Sequence, residues 1–489
     1  MHTELFICDW SKREENFKLL HRHIHKQISE GITPSCQPFH ALIYPLDSMD
    51  KLTLARKYAE RDLNNALQNG KYKPYDRFEL HRLKGVLDKS RIKLGYVSYD
   101  FRNHPLAHLM QSVFGMHDRS KFEIFCFSLS ESDNSPYRAR IEADSERFFD
   151  ISKVSSHVEA AEFIHSLGID VLVNLSGYTK GGRNEIFALR PAPIQISYMG
   201  FCSTMGAKYI DYMGADKTVI PEMYTNIYEE KIIWLPHSYF VNDYAQSMRF
   251  VLDDTKRPKR SDYGLPEDKF IFANFNQIYK IDPDTFNVWM SILKKVPNSI
   301  LWLLRFPVEG QENIVKEAAK RGIGAHRLFF TNVEDKPIHV NRCFLADLCL
   351  DTPLCNGHTT GCDILWSGLP MVTMPIRDLA SRVGAGLCVA LECPEMIKSN
   401  YADYEEFALE MALGNPGTAA ELVTLPKRIA EGKGSLKLKK LRYKIEQKRI
   451  TAPLFDTKLW VKNWEKGIKE AVRLAIEDKS PCNIDVAKL

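Results

Sequence analysis

Apolar and polar residues alternate along this chain in two ways, and the change from one to the other falls near residue 90. Residues 1–90 carry apolar side chains at spacings of three and four among charged ones, as in WSKREENFKLLHRHIHKQISEG and LTLARKYAERDLNNAL. Such spacing places the apolar side chains on one face of a helix. Residues 1–90 are therefore predicted to form a helical lead-in.

From residue 91 onward, short apolar runs typical of buried strands replace the helical pattern. IKLGYVSYD, FEIFCFSLS, VLVNLSGY and IQISYMGF lie within 91–240, with the helical stretch HVEAAEFIHSLG among them. After a polar, strand-poor linker over 241–265, the runs FIFANFN, SILWLLRF, RLFFTNV, FLADLCLD and MVTMP follow within 266–455. Strands alternating with helices predict an α/β fold with two Rossmann-like domains. Residues 456–489 are predicted to hold a C-terminal amphipathic helix.

Residues suited to binding an anion cluster where strands of the second domain end. Ligands of open α/β sheets bind at the carboxyl ends of the strands, so we expect an interdomain cleft there. In NGHTTGCD, a strand-to-helix turn, the unpaired N–H groups of the first helical turn favour an anion. Together with FNQIYKIDPDTF and VEDKPIHVNR, this motif offers a set suited to a diphosphate: Gln277, Lys280, Lys336, His339, Arg342, His358, Thr359 and Thr360.

Three acidic positions in these motifs have two interpretations each. Asp363 either accepts hydrogen bonds from a sugar hydroxyl or is a carboxylate placed favourably on the helix dipole. Asp282 and Asp284 resemble a carboxylate pair that binds a metal ion, but an Asp directly before Pro283 is typical of a helix start. We favour the helix start for this pair and leave Asp363 open.

In the first domain, the strand exit YVSYDFRNHPLAH carries Asp100 and His104 within five positions. A carboxylate and an imidazole at a strand end are candidates for proton transfer, because histidine titrates near neutrality. The alternative is that the two side chains cap the helix that follows.

Composition excludes several classes of protein. Lys and Arg (66) barely exceed Asp and Glu (62), which gives no indication of a nucleic-acid partner. The eleven cysteines form no Cys-x-x-Cys pair and lie mostly in apolar runs, as reduced thiols do. No signal-peptide pattern or run of 18 apolar residues is present, so cytoplasm and nucleus are expected. The basic run Lys427–Arg449 is either a solvated helix face or a contact for anionic lipid.

Several motifs, taken together, resemble the catalytic region of the nucleocytoplasmic protein O-GlcNAc transferase family. They run in order from about Phe6 to Trp464 and include DFRNHPLAHLMQSVFGMH, GYTKGGRNEIFALRPAPIQ, NFNQIYKIDP, VPNSILWLLRFP and LDTPLCNGHTTGCDILW. The resemblance implies a GT-B architecture, UDP-GlcNAc as donor, no metal and no cofactor. It also implies inverting transfer of N-acetylglucosamine to Ser and Thr hydroxyls of intracellular proteins and peptides.

The resemblance further implies roles for individual residues. His358, Thr359 and Thr360 would hold the UDP phosphates. Gln277 and Lys280 would assist them, and Lys280 would also offset charge on the leaving diphosphate. Lys336 and Asp363 would address the ribose, and His339 and Arg342 the uracil. His104 and Asp100 match positions with roles in proton handling.

The sequence also departs from the family pattern. The tetratricopeptide superhelix that precedes this region in the family has no counterpart in these residues, and the long interlobe insert of animal members is reduced to a short polar segment. The usual DFGNHP appears as DFRNHP, with Arg102. Two alternatives stay open: the related protein O-fucosyltransferase branch, which uses GDP-fucose, and a non-catalytic scaffold that binds a UDP-sugar.

Overall fold

A computed structural model describes residues 2–76 and 91–489. The described residues form two compact units. The N-terminal lobe comprises Leu20–Asp243 and Asp456–Leu489, and the C-terminal lobe comprises Tyr244–Phe455 with the segment up to Leu19. The predicted lead-in contains four helices within its described part, while residues 77–90 lie outside the described ranges.

The secondary structure is numbered in chain order. The strands are β1 (Ile92–Ser98), β2 (Phe122–Ser128), β3 (Arg147–Asp150), β4 (Val171–Asn174), β5 (Ile194–Ser197), β6 (Tyr212–Asp216), β7 (Lys231–Leu235), β8 (Phe270–Asn274), β9 (Ser299–Leu304), β10 (Leu328–Thr331), β11 (Leu348–Leu350), β12 (Met371–Val372) and β13 (Ile484–Asp485). The helices are α1 (His2–Phe6), α2 (Arg13–Ser29), α3 (Pro38–Ala41), α4 (Ser48–Leu67), α5 (Pro105–Met110), α6 (Val113–Met116), α7 (Pro136–Asp144), α8 (His157–Ser166), α9 (Asn184–Ala188), α10 (Tyr244–Ser247), α11 (Pro283–Lys295), α12 (Gly310–Lys320), α13 (Lys336–Arg342), α14 (Thr359–Ser367), α15 (Val383–Ala390), α16 (Tyr401–Leu413), α17 (Ala419–Leu422), α18 (Lys427–Ala430), α19 (Leu436–Lys448) and α20 (Thr457–Ile476).

An eight-stranded parallel sheet in the order β13-β7-β6-β5-β4-β1-β2-β3 forms the core of the N-terminal lobe. Its central strands are almost fully buried, which explains why they read as continuous apolar runs. Sequence patterns missed β3, β6, β7 and β13. β3 is a partly exposed edge strand, and β6 includes Gly214, where an added Cβ would lie 2.9 Å from the Trp464 ring. β3 and β6 therefore lack the apolar signature on which the prediction rests, whereas β7 is a buried apolar run, KIIWL, that the prediction overlooked.

The C-terminal helix α20 packs into the N-terminal lobe and is part of its core. Its apolar face buries Trp460 and Trp464. The Trp464 indole donates a hydrogen bond to Tyr96 Oη on β1 at 3.1 Å, and its ring lies 5.0 Å from that of Tyr198. The sequence predicted this helix as a separate segment, and the structure shows that it belongs to the N-terminal lobe.

The C-terminal lobe contains a five-stranded parallel sheet in the order β10-β9-β8-β11-β12. The segment before α2 supports it, because the Cys8 thiol donates to the carbonyl of Ile278 at 3.2 Å and Phe6 stacks on Tyr279. The predicted linker 241–265 joins this lobe from Tyr244 onward, where the Trp366 indole donates to Met248 O at 2.9 Å. Across the described residues, no helix has the length and hydropathy required to cross a membrane.

Candidate active site

The start of helix α14 in the C-terminal lobe is the first element of the candidate site. β11 is followed by the loop 351–358, and His358, at the N-cap position, makes no side-chain hydrogen bond to the first helical turn. The loop is held from beneath: Asp351 accepts hydrogen bonds from Gly357 N and Thr373 Oγ1, both at 2.8 Å. A helix that begins without a side-chain cap presents its first N–H groups, including those of Thr359 and Thr360, to an anion.

Lys280 brings a positive charge to this loop. It ends a 3-10 turn (Ile278–Lys280) after β8, and its Nζ donates to Asn356 O at 3.0 Å. Gln277 opens the same turn, and its carbonyl accepts from Lys280 N at 3.0 Å. The two strand exits meet because β8 and β11 are neighbours in the sheet. The structure therefore joins two motifs that lie about 80 residues apart in the sequence.

The His358 ring is neutral, although the sequence analysis included His358 among the basic residues suited to a diphosphate. Burial, together with the nearby Lys280 ammonium, lowers the pKa of His358 to about 3. Its Nε2 lies 3.0 Å from Ala380 O, and a carbonyl only accepts, so Nε2 carries the proton and donates it there. Positive charge at this end of the site comes from Lys280 and from the helix start.

A second cluster, which we call the Asp363 cluster, lies one turn further along α14. The buried Asp363 carboxylate is ion-paired with Lys336 on α13 and accepts a hydrogen bond from Tyr244 Oη at 2.7 Å. Lys336 Nζ also donates to Tyr244 Oη at 2.9 Å. The sequence left two interpretations of Asp363 open, a hydrogen bond to a sugar hydroxyl and a favourable interaction with the helix dipole. In this structure its carboxylate is the acceptor of a buried lysine–tyrosine network.

His339 and Arg342 extend the Asp363 cluster along α13. Burial lowers the pKa of His339 to about 4, so its ring is neutral. Arg342 is fully buried, and its Nη2 donates to Asn332 O at 2.9 Å. Its Nε and Nη1 have no hydrogen-bond acceptor among the described residues, and Nη1 lies 3.8 Å from Glu334 Oε1 in an ion pair. Buried donors without acceptors are costly, and they fit a ligand that supplies carbonyl oxygens.

Asp100 and His104 are placed together in the N-terminal lobe, directly after β1. His104 Nδ1 lies 3.7 Å from Asp100 Oδ2, and Arg102 Nε lies 3.6 Å from Asp100 Oδ1. Burial raises the pKa of the Asp100 carboxyl, and the charges of His104 and Arg102 oppose this rise in part. Burial lowers the pKa of His104, which Asp100 opposes in part and Arg102 reinforces. A neutral imidazole beside a buried carboxylate can relay a proton.

His104 also caps helix α5. Its Nδ1 accepts the backbone N–H of Leu106 at 3.2 Å, which is the helix-capping alternative raised by the sequence. In the neutral ring Nδ1 is therefore the acceptor, and Nε2 carries the proton. Among the described residues, the Asp100 side chain makes no capping hydrogen bond to α5. Helix capping therefore explains the position of the His104 imidazole but not that of the Asp100 carboxylate.

The loop after β4 packs against the loop that carries Asp100, because β1 and β4 are adjacent. Ser176 Oγ accepts from Tyr99 N at 3.1 Å. Gly181 has φ +81°, and a Cβ there would lie 2.2 Å from the Tyr99 ring, so only glycine fits. The glycines of NLSGYTKGGRNE thus allow two loops to pack closely.

Comparison with known proteins decides the family. The sequence profile described as glycosyl transferase family 41 matches residues 7–257 and 253–464. The chain belongs to glycosyl transferase family 41. The family-level resemblance predicted from the motifs is confirmed.

Two curated relatives and one solved structure are similar to this chain over most of its length. The probable UDP-N-acetylglucosamine–peptide N-acetylglucosaminyltransferase SEC of Arabidopsis thaliana is 46% identical over 99% of this chain and 48% of its own length. The UDP-N-acetylglucosamine–peptide N-acetylglucosaminyltransferase of Caenorhabditis elegans is 35% identical over 94% of this chain and 47% of its own. The chain thus spans about half the length of these relatives.

The solved structure is a mutant of the Thermobaculum terrenum O-GlcNAc transferase. It aligns with a TM-score of 0.74 at 23% identity, covering 97% of this chain and 83% of that one. At this identity the likeness shows the fold. The predicted α/β class with two Rossmann-like lobes of GT-B type is confirmed.

Two features of this family 41 chain bear on the sequence interpretation. Asp282 Oδ1 accepts from Asp284 N at 3.0 Å and Thr285 N at 3.1 Å, so the favoured helix start is confirmed. Tyr244, which sequence reasoning missed, links Lys336 to Asp363. It lies in a polar linker, where neither periodicity nor a strand exit marks it.

Ion pairs within the C-terminal lobe occupy part of the basic run Lys427–Arg449. Five of its ten cations pair with glutamates of this lobe: Lys427 with Glu431, Arg428 with Glu446, Lys437 with Glu410, Lys444 with Glu395 and Lys448 with Glu392. Arg442 donates to main-chain carbonyls. These contacts agree with a helix face fixed by the lobe's own acids, and lipid contact stays a prediction.

Proposed function

We propose that this chain is an inverting glycosyltransferase that moves N-acetylglucosamine from UDP-GlcNAc to Ser and Thr hydroxyls of proteins, without a metal. The observation that carries the proposal is the uncapped start of α14 beside Lys280, in a member of glycosyl transferase family 41. The names of the Arabidopsis and Caenorhabditis relatives support the donor and the acceptor.

The C-terminal lobe has the chemistry to bind a nucleoside diphosphate. Charge grows on the leaving diphosphate as the sugar bond breaks, and fixed cations and backbone N–H groups stabilise it. Lys280 and the amides of Thr359 and Thr360 supply these groups. The unsatisfied Arg342 donors suit the carbonyl oxygens of uracil, and the Lys336–Asp363 pair suits the ribose hydroxyls.

In the N-terminal lobe, Asp100 and His104 are the proposed proton-handling groups. Attack by a hydroxyl releases a proton, and a neighbouring carboxylate or imidazole accepts it directly or through water. Since His104 Nδ1 accepts the Leu106 amide, the neutral ring offers an N–H at Nε2. Direct acceptance of the proton is then assigned to Asp100, with His104 as its neighbour.

A transfer assay with two alternative sugar donors tests the proposal. The full 489-residue chain is incubated with a Ser/Thr peptide and either UDP-GlcNAc or GDP-fucose, and the product is read by mass spectrometry. Addition of one N-acetylhexosamine, only with UDP-GlcNAc, is the expected result. Transfer of fucose would instead support the O-fucosyltransferase alternative.

The scaffold alternative is tested by calorimetric titration of the same protein with UDP. Binding of UDP without transfer to any peptide of a Ser/Thr library would favour the scaffold over the enzyme. We expect cytoplasmic and nuclear localisation, which fluorescence imaging of a tagged chain would check, and no nucleic-acid partner. Flotation with phosphatidylserine vesicles would test the predicted lipid contact of Lys427–Arg449.

A further inference from the structure

Two histidines and a carboxylate converge where helix α2 meets helix α4 in the N-terminal lobe. His21 and His25 are four residues apart on α2, so their rings lie on the same helix face. Their Nε2 atoms are 3.2 Å apart. Asp50, in the first turn of α4, places one carboxylate oxygen 3.3 Å from His21 Nε2 and the other 3.3 Å from His25 Nε2.

The two ring nitrogens and one oxygen of Asp50 all lie within 4.8 Å of one another, and the nearest separations are close to those between ligands of one tetrahedral ion. Donor atoms bound to Zn²⁺ at about 2.0 to 2.2 Å lie roughly 3.3 to 3.6 Å from one another in a tetrahedral site. A hydrogen bond between the two imidazoles would explain only the contact between His21 and His25. One divalent ion would bind all three side chains and would replace the direct contact between the two ring nitrogens.

We propose that His21, His25 and Asp50 form a zinc site. Two imidazole nitrogens and one carboxylate oxygen are a donor set that suits Zn²⁺ and other late first-row ions, and it does not suit Mg²⁺ or Ca²⁺, which prefer oxygen ligands. The His21 and His25 side chains are 54% and 49% exposed, which leaves room for a water molecule as fourth ligand.

The position of the site indicates a structural role. Along its 17 residues, α2 buries only Ile24, whereas α4 buries nine residues. A helix with one buried side chain gains little from packing. Zinc bound by both helices would therefore fasten α2 to α4, and its removal would loosen α2 more than the rest of the lobe.

Zinc titration tests the site directly. The full chain, freed of any histidine tag, competes with a chromophoric chelator for Zn²⁺, beside His25→Ala, Asp50→Asn and the control His23→Ala. His23 is exposed on the same helix and is outside the cluster. The parent and the control are expected to bind one equivalent. Loss of an outer-sphere partner already weakens zinc sites by about 10- to 100-fold, so each ligand variant should lose at least about tenfold.

Cobalt provides a second measurement, which does not depend on stoichiometry. Co²⁺ in the parent and in His23→Ala should give the intense visible bands of a tetrahedral ion, and these bands should be absent from Asp50→Asn. Circular dichroism of each protein checks that the fold is intact. Zinc affinity in the parent no greater than in His25→Ala, or equal losses in His23→Ala and His25→Ala, would overturn the assignment.

Discussion

At the scale of single residues, burial and hydrogen-bond geometry determine which groups of the candidate site carry charge. The sequence offered two histidines among the bases of the C-terminal lobe, but burial holds the pKa of His358 at about 3 and that of His339 at about 4. Among the residues predicted to contact the UDP phosphates, Lys280 is then the one that supplies a positive charge. The proposed phosphate binding therefore depends on one ammonium and on backbone N–H groups.

Lys280→Met is expected to lower kcat by roughly a hundred- to a thousandfold, about 3 to 4 kcal/mol, with a much smaller change in KM. Methionine keeps the apolar stem and removes the ammonium. Because charge on the diphosphate grows toward the transition state, its loss affects turnover more than ground-state binding. Steady-state kinetics with UDP-GlcNAc and a peptide measures both constants.

Lys294→Met is the matched control, since Lys294 is an exposed lysine on α11. It should transfer at the parent rate. A Lys280→Met protein with an unchanged melting temperature and turnover within a few fold of the parent would refute the role of Lys280.

The two roles of His104 are separated by two substitutions. His104→Ala removes both the helix cap and the imidazole, whereas His104→Asn restores a strong N-cap and still lacks the imidazole. We expect both variants to lose most of their turnover with little change in UDP affinity, and His104→Asn to regain most of the thermal stability. Kinetics, UDP titration and melting curves measure these effects.

Recovery of turnover in His104→Asn would show that His104 acts only as a cap. Asp100→Asn belongs in the same series. It should be impaired at least as strongly as His104→Ala if the carboxylate accepts the proton.

At the scale of elements, the helices at the strand ends begin in different ways, and this difference bears on where an anion can bind. α5 is capped by His104 and α11 by Asp282, whereas α14 has no side-chain cap. A capped helix has a satisfied amide in its first turn, whereas an uncapped one leaves that amide to water or to a ligand. The helices α9, α12 and α13 also lack a side-chain cap, and α14 differs from them because Lys280 lies at its start. The anion site is therefore expected at α14 and not at α11, although both follow strands of one sheet.

Asp282→Ala should lower the free energy of unfolding by about 1 to 2 kcal/mol and leave turnover unchanged, because Asp282 is the N-cap of α11. Asp282→Asn retains a capping oxygen and should be close to the parent in stability. Denaturant unfolding and transfer assays give the two quantities. Loss of activity in a stable Asp282→Asn protein would favour a metal-ligand role for this aspartate.

At the scale of the whole molecule, each lobe has its own sheet and its own set of chemistry. The set that suits a diphosphate is in the C-terminal lobe, and the candidate proton-handling groups and the proposed zinc site are in the N-terminal lobe. We therefore expect the proposed transfer of the sugar and the proposed binding of zinc to be separable by mutation.

EDTA should leave the initial rate of transfer unchanged, because Lys280 and the α14 amides are proposed to stabilise the diphosphate without a divalent ion. The assay is run well below the melting temperature, since loss of zinc from His21, His25 and Asp50 should lower that temperature. Activity abolished by EDTA in Asp50→Asn as well as in the parent, and restored by Mg²⁺ or Mn²⁺, would show a catalytic metal.

The sequence by itself determined the α/β class, the position of most buried strands and the family. Strands buried on both faces must be apolar throughout, and motifs at their ends keep a fixed order along the chain. The helix start at Asp282 was also predictable, because an N-cap depends on residues within one turn. Each of these features is local.

Only the tertiary structure decided the features that depend on distant residues. It joined α20 to the N-terminal lobe through Trp464 and Tyr96, and it placed Tyr244 between Lys336 and Asp363. It also set the protonation of His358, since burial depends on the packing around the ring. The physical reason is that hydrogen bonds and desolvation act between groups that are close in space, and the residue pattern records only neighbours along the chain.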